Sequence, residues 1–120
     1  MSQHTFITAF AANNRHDQQE GTSTAGQVAT LRCGWDRRLG EFFLNLTAGE
    51  GDEAERLYDT LLEGAIYEAI EIKFICDYHG IELPADFLRT LEAEELANTG
   101  NKIVRWSLAG PVVEFEEVGR

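Results

Sequence analysis

Two strand-like runs joined by a short glycine-containing turn constrain the fold most. In residues 41–48 apolar and polar side chains alternate, which is the period of a strand with one buried face. Residues 27–35 form a second run of this kind. The segment between them, DRRLG, ends in a glycine that can supply the positive φ angle used by longer hairpin loops. The stretch RCGWDRRLGEFF therefore predicts a β-hairpin with Arg37 and Arg38 at its tip.

Helical periods and helix-ending residues predict three consecutive helices. The clearest period is in residues 52–63, where apolar residues share one side and acidic residues the other. Residues 66–79 are ambiguous because they alternate in part as a strand does, but their length and the following Gly80 favour a helix. Pro84 suits the first turn of a third helix, which we expect to reach residue 97.

The remaining segments complete an α+β prediction for one domain that spans residues 1–120. A short strand is expected over 5–10, and a closing hairpin over 103–108 and 112–118. Residues 12–26 are polar and rich in turn formers, and we predict a flexible loop there. The resulting order, β-β-β-α-α-α-β-β, has no βαβ alternation. We therefore expect an antiparallel sheet of about five strands with the helices on one face.

The charge distribution restricts the class of partner. The net charge is −11, and because residues 1–49 hold equal numbers of acids and bases, the whole excess lies in residues 50–120. A surface of this sign repels phosphates, which argues against direct nucleic-acid binding. Three interpretations stay open: a coat that promotes solubility, a surface for a basic protein partner, and mimicry of a nucleic acid.

The sequence contains no segment that predicts membrane insertion or export. No apolar run approaches the ~20 residues that span a bilayer. The first residues, MSQHTFITAF, lack the basic and apolar regions of a signal peptide. Two cysteines are too few for a disulfide scaffold. We therefore expect a cytoplasmic protein with free thiols.

Cys76 and His79 are the pair most suited to chemistry. On a helix they lie three residues apart on neighbouring faces. A structural zinc site normally takes four such ligands, and the other thiol and imidazole groups are Cys33, His4 and His16. No phosphate-binding glycine loop or nucleophilic serine elbow is present in the sequence. The sequence favours a protein without catalysis, metal or cofactor, with an enzyme or metalloprotein based on Cys76 and His79 as an alternative.

Residues suited to protein contacts occur in the hairpin and in the acidic half. Tryptophan and arginine dominate many interfaces, but the sequence favours a structural role in which Trp35 closes one end of the core and the arginines pair with nearby acids. If the predicted helices at 52–63 and 84–97 lie side by side, their carboxylates form one acidic face, Glu94 among them. The candidate interaction residues are Trp35, Arg37, Arg38, Glu55, Asp59, Glu92 and Glu95.

Three segments carry a resemblance: GWDRRLGEFF, HGIELPADFL and NTGNKIVRW. They resemble segments of small uncharacterised proteins of proteobacteria, many of them encoded on plasmids, phages or integrated elements. The resemblance covers about half of the chain and brings no activity, ligand or catalytic residue with it. It implies an accessory genetic element as the origin, where small acidic inhibitors are common.

Together these observations favour a non-catalytic protein-binding or inhibitory module with an unidentified protein partner of basic character. The first alternative is an acidic nucleic-acid mimic that inhibits a nucleic-acid-binding protein. The second alternative is the small enzyme or metalloprotein that uses Cys76 and His79.

Removal of both charges at the hairpin tip tests whether the arginines are exposed. We expect Arg37→Ala combined with Arg38→Ala to change the free energy of unfolding by only ~0–1 kcal/mol, because exposed ion pairs contribute little. Urea denaturation of the double variant and the parent protein measures this. A loss of several kcal/mol would identify the arginines as buried structural groups.

Overall fold

A computed structural model describes the backbone of residues 1–107 and 110–116, and the side chains of residues 1–107. The strands are β1 (Ser2–Ala9), β2 (Val28–Asp36), β3 (Glu41–Ala48), β4 (Glu55–Asp59), β5 (Lys102–Ser107) and β6 (Gly110–Glu116). The helices are α1 (Arg15–Glu20), α2 (Thr60–Glu63), α3 (Ala69–His79) and α4 (Phe87–Ala97). This content confirms the α+β class. None of these helices has the length and apolar character to cross a bilayer.

The strands form one sheet in the order β4-β3-β2-β1-β5-β6. It is mixed rather than wholly antiparallel, since β5 pairs in parallel with β1 while the other neighbours are antiparallel. The prediction of a wholly antiparallel sheet is therefore wrong for the pair β1 and β5. The chain leaves the sheet after β4 and returns at β5 only after the helices, and a strand that returns by such a long crossover can lie parallel to its neighbour.

The predicted hairpin is confirmed, and its strands form the middle of the core. Trp35 pairs with Phe42 across β2 and β3, and Gly40 has a φ angle of +67° at the end of the turn. Alternate residues of the central strands are buried on one face, where α3 contributes Ile72 and α4 contributes Leu91. α3 and α4 confirm the two predicted helices and their ends, but each begins three residues later than predicted, at Ala69 and Phe87, so Pro84 lies before its helix.

The helix predicted over residues 52–63 is wrong. The chain forms a 3₁₀ turn at Gly51–Glu53, then β4, and then only one turn of helix in α2. The apolar residues that produced the helical period do not share a buried face, since Leu61 and Leu62 are 91% and 75% exposed. Pairing with the open edge of β3 provides interstrand hydrogen bonds, and such tertiary contacts override a weak local preference.

The predicted loop over residues 12–26 contains α1 and is anchored to the domain. The side chain of Asn14 caps α1 by accepting from the Asp17 N–H, and Gly21 ends the helix in the left-handed conformation. The Asp17 carboxylate accepts hydrogen bonds from both the backbone and the hydroxyl of Thr24, and from Thr22 and Ala25. Desolvation alone would raise the pKa of Asp17, but these hydrogen bonds outweigh it and lower the pKa.

Glu94 belongs to α4 and is expected at the surface with Glu92 and Glu95, but the structure buries it. Its carboxylate accepts from the Ser2 hydroxyl at 2.6 Å and from His4 Nε2 at 2.7 and 2.8 Å, while the Lys102 ammonium lies 3.5 Å away. Trp106 Nε1–H donates to His4 Nδ1 at 2.8 Å. Nδ1 is therefore the acceptor of the His4 ring, and the proton on Nε2 points to Glu94. One carboxylate thus links α4 to β1 and β5.

The closing hairpin is confirmed where the structure describes it. β5 pairs with β6 in the antiparallel sense, with Ser107 opposite Gly110. The predicted turn residue Ala109 and the end of the predicted strand at residues 117–118 lie outside the described residues.

Glu94 should contribute stability that depends on pH. Burial alone would raise its pKa, but the interactions with His4, Ser2 and Lys102 outweigh burial and hold the pKa below its ordinary value of 4.5. The contribution is therefore present at neutral pH and is lost as the pH falls through the lowered pKa. We expect Glu94→Gln to lower the free energy of unfolding at neutral pH by about 3 kcal/mol.

Guanidinium denaturation across acidic pH, with the exposed Glu92→Gln as the matched control, measures this effect. The difference between Glu94→Gln and the parent should shrink on acidification, and Glu92→Gln should stay close to the parent. Equal stability of Glu94→Gln and Glu92→Gln at neutral pH would contradict the prediction.

Candidate functional site

A cleft of about 430 Å³ opens between α1, α3 and the β4–α2 segment. Its walls combine aromatic rings, imidazoles and carboxylates. The lining residues are His16, Glu20, Leu57, Tyr58, Glu63, Phe74, Ile75, Tyr78 and His79.

The packing of α1 against the end of α3 positions the imidazoles. His79 is the last residue of α3, and Gly80 ends the helix with a φ of +72°. The Ala11 N–H donates to the Gly80 carbonyl, and a Cβ at position 80 would lie 2.6 Å from that of Asn14. This close approach places the His16 ring over His79, with centroids 4.6 Å apart.

The His79 side chain is buried, and one of its two ring nitrogens has no hydrogen-bond partner among the described residues. The side chain is 4% exposed, and this nitrogen is Nδ1. Burial and, to a smaller extent, the neighbouring His16 lower the pKa of His79, Asp17 opposes them, and the resulting pKa is about 4. The ring is therefore neutral at neutral pH. A buried polar atom without a partner is rare in native proteins, and a water molecule or an ion often supplies the missing hydrogen bond.

The cleft has a negative field. Its lining contains Glu20 and Glu63 and, among the described residues, no lysine or arginine. Burial raises the pKa of Tyr58, and the nearby carboxylates of Glu63 and Glu71 raise it further. Carboxylates next to exposed aromatic rings form an environment that attracts a cationic group.

Of the three candidate residues in the hairpin, the structure buries Trp35 and leaves Arg37 and Arg38 exposed. Trp35 is buried, lies edge-on to Phe42 at 5.0 Å, and donates from Nε1 to Asn98 at the end of α4. It is a core residue, which agrees with the interpretation in which Trp35 closes one end of the core. Arg37 and Arg38 are exposed as predicted, and neither forms an ion pair with a residue that the structure describes.

The predicted acidic face is not assembled from two neighbouring helices. Glu55 lies exposed on the edge strand β4, while Glu92 and Glu95 lie exposed on α4, which packs against α3 and β2. Asp59 is buried, accepts from the Leu61 N–H and pairs with Arg56 at 3.1 Å. Its expected exposure is wrong, because it caps α2.

The structure buries both members of the predicted pair Cys76 and His79. Cys76 is fully buried in the core, and this burial raises the pKa of its thiol to about 12. A thiol with such a pKa supplies almost no thiolate, the form that acts as nucleophile and metal ligand. Within residues 1–107, no group of three or more histidine, cysteine or acidic side chains is arranged to hold a metal ion.

Sequence reasoning missed most of the cleft. The sequence places His16 in a predicted loop and Tyr58 on the apolar side of a predicted helix, and it assigns no role to Glu20 or Tyr78. The spacing of Asn14 and Asp17 is a helix-start signal that could have revealed α1. No sequence signal shows that α1 lies against the end of α3.

Comparison with known proteins gives no relative: no family model matches the sequence, and neither the curated proteins nor the solved structures contain a match. The case for a function therefore depends on the cleft itself.

Replacement of His79 tests whether its unsatisfied nitrogen lowers the stability of the free protein. We expect His79→Phe and the smaller His79→Leu to leave the free energy of unfolding unchanged or to raise it by about 1 kcal/mol, because an orphaned buried polar atom is removed. The matched control is His4→Phe at the other buried histidine, where both ring nitrogens are hydrogen bonded. This control should lose several kcal/mol.

Urea denaturation at neutral pH compares the variants. The parent should also lose stability as the pH falls from 6.5 towards 4, because the unfolded chain protonates His79 before the folded protein does, and the His79 variants should lack this component. Losses at His79 as large as those at His4 would show that His79 is a structural residue.

Proposed function

We propose that the protein is a non-catalytic binding module whose cleft receives a basic segment of a protein partner. The observation that supports this proposal is the composition of the cleft: carboxylates and aromatic rings line it, and no lysine or arginine of the described residues neutralises them. The net charge of −11 adds long-range attraction for such a partner. An inhibitory role in an accessory genetic element is part of the same proposal.

The burial of Cys76 supports binding over catalysis, since its thiol is held in the core as a poor nucleophile. The exposed glutamates of α4 keep nucleic-acid mimicry as a competing proposal, because they form a second acidic surface away from the cleft. The two proposals assign the partner to different carboxylates, and charge reversal can separate them.

Charge reversal in the cleft is the first arm of the test. Glu20 and Glu63 are exposed at the ends of short helices, so Glu20→Lys with Glu63→Lys leaves the core intact. The matched control, Glu92→Lys with Glu95→Lys, makes the same charge change on α4. We expect the parent and the α4 variant to retain a common partner from a lysate of the native host, and the cleft variant to lose it.

The partner and the salt dependence of its binding are measured by pull-down and mass spectrometry, with circular dichroism to establish that each variant is folded. Loss in the α4 variant together with retention in the cleft variant would replace cleft binding by mimicry. Retention by both variants would overturn both electrostatic proposals.

A further inference from the structure

We infer that the face of the sheet opposite α3 and α4 is the interface of a symmetric dimer of this chain. The two helices cover one face, and no helix of the described residues covers the other, the open face. Alternate residues of the strands form the open face, among them Thr5 of β1, Arg32 of β2 and Phe43 of β3. The cleft lies on the helix side of the sheet, so it stays open in such a dimer.

The open face is less polar than the exposed side of a sheet usually is. The outward residues of such a sheet are normally polar, but Ile7 and Ile103 on the neighbouring strands β1 and β5 are 61% and 44% exposed. Leu39 in the hairpin turn and Leu61 in α2 are 60% and 91% exposed, and both line a groove of about 350 Å³ together with Phe43. Exposed apolar residues gathered on one face indicate an interaction surface.

The charges of the open face are balanced, although the net charge of the chain is −11. Its described residues include three arginines and three acids: Arg32, Arg56, Arg105, Asp36, Glu41 and Asp59. Arg56 pairs with Asp59, whereas Arg32 and Glu41 form no ion pair with a residue that the structure describes. Two copies of an acidic chain repel each other except where the surface has no excess of negative charge. The open face is such a surface.

A two-fold axis makes the charges of the open face complementary to those of a second copy. Arg32 lies four residues before Asp36 on β2, and Glu41 pairs with Asp36 across the hairpin. An axis that crosses the strands near Phe43 makes the two β2 strands antiparallel, so Arg32 of each copy lies opposite Asp36 and Glu41 of the other. Within one copy, a rise of ~3.3 Å per residue separates Arg32 from these acids by about 13 Å.

The area of the open face suits a stable dimer. Six strands ~4.8 Å apart, each with five to nine residues, cover roughly 600 Å² in projection. The side chains on this surface and the bordering Leu39 and Leu61 raise the accessible area above its projection. Each partner in a standard protein interface buries about 800 Å², so the open face can supply most of one.

Sedimentation equilibrium of the full chain tests the inference. We expect a reversible dimer below about 100 μM in about 0.15 M salt, where a screening length of ~8 Å weakens the repulsion between the acidic helix sides. Leu61→Asp should raise the Kd of the dimer at least about tenfold, because it places a charge in the interface. The matched control is Leu96→Asp on α4, where the side chain is 89% exposed, and its Kd should equal that of the parent. Circular dichroism establishes that each variant is folded.

Exchange of two charges tests the two-fold pairing. Arg32→Glu and Glu41→Arg should each weaken the dimer about tenfold, because each brings like charges together between the copies. The double variant, Arg32→Glu with Glu41→Arg, should dimerise more tightly than either single variant, because it restores opposite charges across the interface.

A monomer at every concentration up to about 1 mM, or an open polymer, would overturn the inference. Equal dimerisation of Leu61→Asp and the parent would place the interface elsewhere, and a double charge variant no tighter than the single variants would overturn the two-fold pairing. A monomeric parent whose pull-down partner is lost in Leu61→Asp would assign the open face to another protein instead of a second copy.

Discussion

The buried carboxylate of Glu94 is the interaction on which the arrangement of this fold depends. It accepts hydrogen bonds from Ser2 and His4 of β1, and Lys102 of β5 lies beside it. Ser2 also accepts from the Trp35 N–H, and an added Cβ at Gly34 would lie 2.0 Å from the Ser2 carbonyl oxygen. The first strand is therefore held in the middle of the sheet, with β5 parallel to it and α4 above.

The two buried histidines, His4 and His79, differ in the hydrogen bonds that their ring nitrogens form. Both nitrogens of His4 are hydrogen bonded, and its ring joins Glu94 to Trp106. His79 lies at a cleft, and its Nδ1 has no hydrogen-bond partner in the part of the chain that the structure describes. An unsatisfied buried polar atom costs about 1–3 kcal/mol, so His79 lowers the stability of the fold where His4 contributes to it. This contrast identifies the cleft, rather than the Glu94 cluster, as the candidate site.

Local sequence patterns predicted the strands and helices whose formation depends on residues close together in the chain. The β2–β3 hairpin followed from alternation and the turn glycine, and α3 ended where Gly80 indicated. The prediction failed where a distant partner decides the structure: residues 55–59 became a strand because the edge of β3 was open. It also failed at α1, where the Asn14 cap was overlooked and the Asp17 carboxylate organises the following turn.

The sequence by itself determined the α+β class, the central hairpin, α3 and α4, and the excess of negative charge, because these follow from periodicity, turn chemistry and composition. Only the tertiary structure decided which carboxylates are available to a partner, since burial removed Glu94 and Asp59 from the surface. It alone also brought His16 to His79 and created the cleft. Such contacts join residues far apart in the chain, and local patterns contain no information about which distant segments meet.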